Sequence, residues 1–233
     1  GDDAEFSFDS QYLVCTISPQ YDTIRQLKLD EVDDDEYPKD TLLILNLASG
    51  EMEKIECVKS FRLTEEAVGP LVYQLEKPLP LEPDTTEEVG EKLDEDSTAV
   101  EKPEDPSERP GHELVVRTLD GATEYRILQT DDYRLADYGA YTYYMRETED
   151  SLFDDGLYVI ENAKGTITMI DTTREDIETF VPDHTGERMV YLATDDSTEA
   201  DIRYYDAYIY RPGKGAKLLA DTNVRGLAAG WMM

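Results

Sequence analysis

Apolar residues along this chain fall in short runs rich in Val, Leu, Ile and Tyr, broken by polar turns, with little helical periodicity anywhere. Runs of that length and composition predict strands. One arrangement recurs four times. The segments TLLILNLASGEMEKI (41–55), HELVVRTLDGATEYRI (112–127), GLYVIENAKGTITMI (156–170) and DAYIYRPGKGAKLL (206–219) place Gly50, Gly121, Gly165 and Gly215 at one equivalent position. Each glycine follows an apolar pair by the same offset: Ile44 and Leu45, Val115 and Val116, Val159 and Ile160, Ile209 and Tyr210. A strand, a tight turn and a second strand follow from this spacing, with the glycine where a hairpin needs positive φ.

The stretch before each hairpin repeats too: FSFDSQYLVCTIS (6–18), FRLTEEAVGPLVYQL (61–75), YRLADYGAYTYYM (133–145) and FVPDHTGERMVYLAT (180–194). An aromatic opens each one, a polar turn follows, and a Val, Leu and Tyr run closes it. Two strands plus two strands make a small antiparallel sheet, and four such sheets in series predict an all-β chain, a β-propeller of about four blades. The competing architecture is a β-sandwich in which the hairpin spacing is coincidental. The blades are expected at about 6–60, 61–132, 133–176 and 177–227, within a single propeller region spanning 1–233 that is incomplete as a ring. Residues 78–111, rich in Pro, Glu and Asp and almost without aromatics, are expected as a disordered acidic loop, because they cannot bury enough apolar surface to offset their ordering entropy. A shorter acidic loop, DEVDDDEY (30–37), stands in the equivalent place of the first blade.

Charge narrows the partners. A formal net charge of -32 over 233 residues repels phosphate backbones and anionic membrane surfaces, so no nucleic-acid partner is expected. No run reaches the roughly 18 apolar residues that a membrane span needs, and the opening GDDAEF lacks the basic and apolar parts of a signal peptide. The absence of a starting Met reads as a mature or engineered N-terminus from which a leader has been removed. Cys15 and Cys57 lie in strand-like segments and fit either buried thiols or one disulfide.

The segments FSFDSQYLV and FVPDHTGERMVYLAT resemble the FSPDGKxLAF signature of WD40-like propeller repeats. More specifically, ISPQYDTIRQLKLDE (17–31), YPKDTLLILNLASGEMEKIECVKSF (37–61), VYQLEKP (72–78) and LLADTNVRGLAAGWMM (218–233) resemble the N-terminal propeller of prolyl-oligopeptidase-family (S9) serine peptidases of Bacteroidetes type. That resemblance implies a secreted or periplasmic protein whose propeller precedes an α/β-hydrolase domain of the same polypeptide and restricts entry of peptide substrates. This chain holds no hydrolase domain. A self-standing TolB-like scaffold that binds a partner protein is the alternative reading, and a carbohydrate-binding module using the Tyr-rich strands is a third.

Catalytic chemistry finds little footing. No GxSxG elbow occurs, and His112, at the edge of the acidic loop, and His184, in the turn PDHTGER, read as solvated loop residues, so no catalytic residue is assigned. Two histidines and no CxxC pair leave no zinc site. The cluster Asp33, Asp34, Asp35 and Glu36 lacks the spacing of a calcium loop, so no metal ligand is assigned. RPGKGAK (211–217) resembles a phosphate loop only superficially, since Gly215 is already the hairpin glycine, and no cofactor is expected. Tyr133, Tyr138, Tyr141, Tyr143 and Tyr144, and Tyr204, Tyr205, Tyr208 and Tyr210, form two clusters suited to packing between blades or to lining a binding surface.

Overall fold

The computed structural model describes residues 3–32, 37–76, 112–146, 153–197, 199–221 and 224. The expected acidic loop at 78–111 and the cluster at 33–36 lie outside the described residues. Among the described residues, sixteen strands form four antiparallel sheets, each in simple sequence order. The first sheet contains β1 (Ala4–Phe6), β2 (Tyr12–Ile17), β3 (Thr41–Asn46) and β4 (Met52–Ile55). The second contains β5 (Val58–Arg62), β6 (Leu71–Leu75), β7 (His112–Arg117) and β8 (Glu124–Thr130). The third is built from β9 (Asp132–Leu135), β10 (Tyr141–Arg146), β11 (Gly156–Glu161) and β12 (Thr166–Asp171). The fourth is built from β13 (Asp176–Pro182), β14 (Met189–Thr194), β15 (Asp206–Arg211) and β16 (Gly215–Ala220). This is the expected all-β, four-bladed propeller architecture.

Gly50, Gly121 and Gly165 sit in the turns before the last strand of their sheets, and Gly215 is the first residue of the last strand of its sheet. Their φ angles are 74° (Gly50), 71° (Gly121), 67° (Gly165) and 76° (Gly215), the left-handed region that only glycine enters without steric cost. Burial follows position within each sheet. All five residues of β6 are buried, whereas β12 and β16 are exposed along most of their length. The last strands therefore form the rim, and the first strands face the axis.

Three apolar clusters fill the three gaps between consecutive sheets. Val14, Leu42 and Ile44 of the first sheet pack on Phe61, Tyr73 and Val115 of the second. Val72, Leu114 and Val116 of the second pack on Tyr133, Tyr144 and Ile160 of the third. Tyr143, Leu157 and Val159 of the third pack on Met189, Tyr191 and Tyr208 of the fourth. Among the described residues no such cluster joins the first sheet to the fourth. Fully burying one Leu- or Val-sized side chain contributes about 1.5–3 kcal/mol, so these gaps hold the sheets together.

Adjacent tyrosines show how one strand serves two gaps. Tyr143 and Tyr144 are both fully buried, one against the fourth sheet and the other against the second, because successive strand residues face opposite sides. Tyr144 stacks on Tyr158 at 5.3 Å between ring centroids, and Tyr191 stacks on Tyr208 at 5.2 Å at the matching place in the next sheet.

One element was not expected from the hydrophobic pattern. Residues Tyr21–Leu29 form a nine-residue helix, α1, with no buried residue. Asp22 lies in its first turn and Lys28 in its last, both favourable to the helix dipole.

Candidate functional site

The first strand of a propeller sheet has one edge free of a neighbouring strand, so its polar side chains line the axial side. A hollow of about 470 Å³ opens there, lined by Lys59, Ser60 and Arg62 of β5, Asp132 and Arg134 of β9, and Glu178 of β13, with Asp131, Tyr133, Gln74 and Met145. Alternation builds it. Phe61, Tyr133 and Phe180 point into the gaps and are buried, whereas Arg62 and Arg134, next to the first two, and Glu178, next to the buried Ile177, are exposed. The aromatic that opens each repeat is thus a core residue in the second, third and fourth sheets. In the first sheet the equivalent Phe6 is 62% exposed.

The hollow carries three cations and three carboxylates. Arg134 donates to Asp132 at 2.5 Å, and its guanidinium lies 5.4 Å from the centre of the Phe180 ring. The Ser60 and Tyr133 hydroxyls are 3.1 Å apart. Burial pushes the Tyr133 phenol up to about 12, so it stays protonated through the physiological range. Gln74 donates to the Thr130 and Asp131 carbonyls at 2.8 and 3.0 Å, which fixes the floor. Burial also raises the Glu5 carboxyl, and the charge of Arg62 opposes that shift. This arrangement can hold a polar or charged ligand by ion pairing and hydrogen bonding.

His112 was expected as a solvated loop residue, but it opens β7. Its Nε2 lies 2.9 Å from the Lys59 Nζ and its Nδ1 3.0 Å from the Glu76 carbonyl oxygen, because the chain enters the third strand of the sheet there. His184 is exposed in its turn, as expected, yet it is paired with Asp137 of the third sheet. That hydrogen bond, followed by the charge of Asp137, raises the His184 imidazole above its ordinary value. The backbone of Asp137 also accepts from the Glu65 and Glu66 amides, each at 3.1 Å, and Tyr138 donates to the His184 carbonyl at 3.2 Å. One turn residue thereby touches three consecutive sheets.

Other ties cross the gaps. Arg117 reaches Glu53 of the first sheet through two hydrogen bonds, of 2.7 and 2.8 Å. Tyr143 donates to the Gly186 carbonyl at 2.6 Å, and Tyr191 donates to Asp171 at 2.8 Å. Burial alone would raise the Asp171 carboxyl, but hydrogen bonds from Tyr191 and Thr173 and the charge of Arg174 bring it below the usual carboxylate range. Gly215 sits at the start of β16, paired with Arg211, as a hairpin glycine does. Cys15 and Cys57 are free thiols and only half-buried.

No protein-family model matches the sequence, and no curated protein matches it. Solved structures do. The β-propeller domain of the trilobed protease from Pyrococcus furiosus superposes with a TM-score of 0.51 at 11% identity, covering 94% of this chain and 57% of that one. The acylaminoacyl peptidase of Pyrococcus horikoshii gives 0.49 at 11% identity, over 94% of this chain and 32% of that one. TolB from Acinetobacter baumannii gives 0.41 at 9% identity, over 95% of this chain and 43% of that one. The likeness to the trilobed protease domain establishes the β-propeller fold alone, and the chain spans 57% and 32% of the lengths of the first two structures named.

Proposed function

We propose that residues 1–233 are one non-catalytic propeller region of a larger S9-like serine peptidase, secreted or periplasmic, that restricts substrate entry and docks an α/β-hydrolase domain of the same polypeptide. The observation that carries this reading is the division of labour between side chains. Apolar residues are spent between the sheets, while the axial side of the second to fourth sheets is polar and charged, a wall suited to a solvated passage for peptides. The segments 17–31 and 37–61 that resemble the S9 propeller support it, and the β-propeller fold is compatible with it. The histidines add no competing chemistry, since their partners are Lys59 and the Glu76 carbonyl for His112 and Asp137 for His184.

The test has two parts. The coding sequence that continues from Met233 should encode an α/β-hydrolase domain with its serine on a nucleophile elbow. Its absence there refutes the proposal. The purified 233-residue chain should hydrolyse neither peptide nor ester substrates, and turnover abolished by a serine-directed inhibitor would contradict the non-catalytic assignment.

A further inference from the structure

Two of the strands that line the axial hollow carry the same irregularity at the same place. In β5 the register steps from Val58 opposite Leu75 to Ser60 opposite Gln74, which leaves Lys59 as one extra residue. In β13 it steps from Ile177 opposite Ala193 to Thr179 opposite Leu192, which leaves Glu178. Each extra residue stands two positions before the buried aromatic of its strand, Phe61 or Phe180. The corresponding strand of the third sheet, β9, pairs without such a step. A bulge of this kind interrupts the ladder and re-aims a side chain, which is why bulges recur beside active sites. Here the two side chains are a cation and a carboxylate, and both line the hollow of about 470 Å³. Ligand pockets commonly measure about 300–1,000 Å³.

Neither charge is spent inside the protein. Among the described residues Lys59, Arg62, Asp131 and Glu178 form no ion pair, whereas Arg134 is bound to Asp132. The unpaired cations come from the second sheet, and the unpaired carboxylates come from the residue before β9 and from the fourth sheet. The hollow is therefore polarised from one sheet to another. His112 fixes its cationic end. Because the Glu76 carbonyl can only accept, the His112 Nδ1 donates to it, and Nε2 accepts from the Lys59 ammonium at 2.9 Å. Among the described residues that uses one of three ammonium donors and leaves two for a ligand. The net charge of -32 disfavours a ligand that is anionic overall. A zwitterion avoids that cost and matches both ends. We propose that the hollow binds a short peptide with both termini free, its carboxylate on Lys59 and Arg62 and its ammonium on Asp131 and Glu178. The choice of a peptide rests on reading the axial wall as a passage for peptides.

Ligand-detected NMR titration of the 233-residue chain with trialanine, and with its N-acetylated, C-amidated and doubly blocked forms, reads the two contacts separately. About 0.15 M salt screens non-specific attraction to the acidic surface. The unblocked peptide should bind, and each block should weaken binding about tenfold, the worth of one hydrogen bond to a charged group. Lys59→Met should shrink the effect of amidation and leave that of acetylation, and Glu178→Gln should do the reverse. The effect that each variant retains also shows that it is folded. Three results overturn the proposal: an unblocked peptide that does not bind at millimolar concentration, binding indifferent to both blocks, or a folded variant that moves both effects alike. Those results leave the peptidase reading standing, and a hydrolase domain missing beyond Met233 would refute that reading without touching a positive titration.

Discussion

Alanine placed at the four repeat glycines should separate backbone strain from crowding. Gly50, Gly121, Gly165 and Gly215 all hold φ between 67° and 76°, so each alanine carries the left-handed penalty of about 1–2 kcal/mol. A smaller unfolded-state entropy offsets about 0.4–1 kcal/mol of that. At Gly50 and Gly215 an added Cβ meets nothing within 4 Å, so the net cost should be about 0.5–1 kcal/mol. At Gly165 the same atom would stand 2.2 Å from Cε1 of Tyr125 in the neighbouring sheet, and the ring must move. Overpacking of this kind adds about 1–3 kcal/mol, giving a total of about 2–4 kcal/mol. Gly121 should fall between, since its Cβ would meet a guanidinium nitrogen of Arg117 at 2.9 Å, and Arg117 is pinned to Glu53. For a chain of this size 1 kcal/mol moves the melting temperature by about 2–4 °C. Thermal and urea unfolding of the four variants gives the ranking, and Tyr125→Ala should bring the Gly165→Ala cost down to the Gly50 level. Equal costs at Gly50 and Gly165, or a Gly165 cost that survives loss of the Tyr125 ring, would refute the claim that this turn presses on the adjacent sheet.

Two adjacent tyrosines offer a paired test. Tyr143→Phe loses a buried bond to the Gly186 carbonyl and should cost about 1–2 kcal/mol in urea unfolding, whereas Tyr144→Phe removes a buried hydroxyl with no partner among the described residues and should be neutral or stabilising. Glu53→Gln strips one charge from a pair whose Arg117 is 6% exposed, and because Glu53 itself is 48% exposed the expected loss is only about 1–2 kcal/mol. A double-mutant cycle with Arg117→Met should recover most of that loss as coupling. The His184 imidazole is raised by Asp137, so the stability it adds is fully present below its unfolded value of about 6.5 and disappears as pH rises through its higher folded value. The melting temperature of wild type minus that of His184→Gln should therefore shrink from about pH 5.5 to about pH 8.5, and a difference that grows instead would contradict the pairing.

The repeat was legible because each hairpin glycine is demanded by a local angle and each apolar pair by burial within its own sheet. Helix α1 was not. Its apolar positions are few, it buries nothing, and Gln20 caps it without a side-chain bond, so only Asp22 and Lys28 hinted at it. The axial hollow was equally hidden. Its charges come from Lys59, Arg62, Asp132, Arg134 and Glu178, which three separate strands bring together, and each alone reads as an ordinary exposed residue. The Arg117–Glu53 tie joins positions 64 residues apart, beyond the reach of any local pattern.

The turn at Asp137 changes how the molecule should come apart. Stacked repeats usually melt like a row of coins, each held only by its immediate neighbours. Here a single residue grips the second, third and fourth sheets together, through Glu65 and Glu66 on one side and His184 on the other. The last three sheets are thereby joined into one cooperative block, and the first, attached through its apolar gap and Glu53, is the unit free to open alone. Amide protons of β2 and β3 should exchange with solvent well before those of β6 and β10.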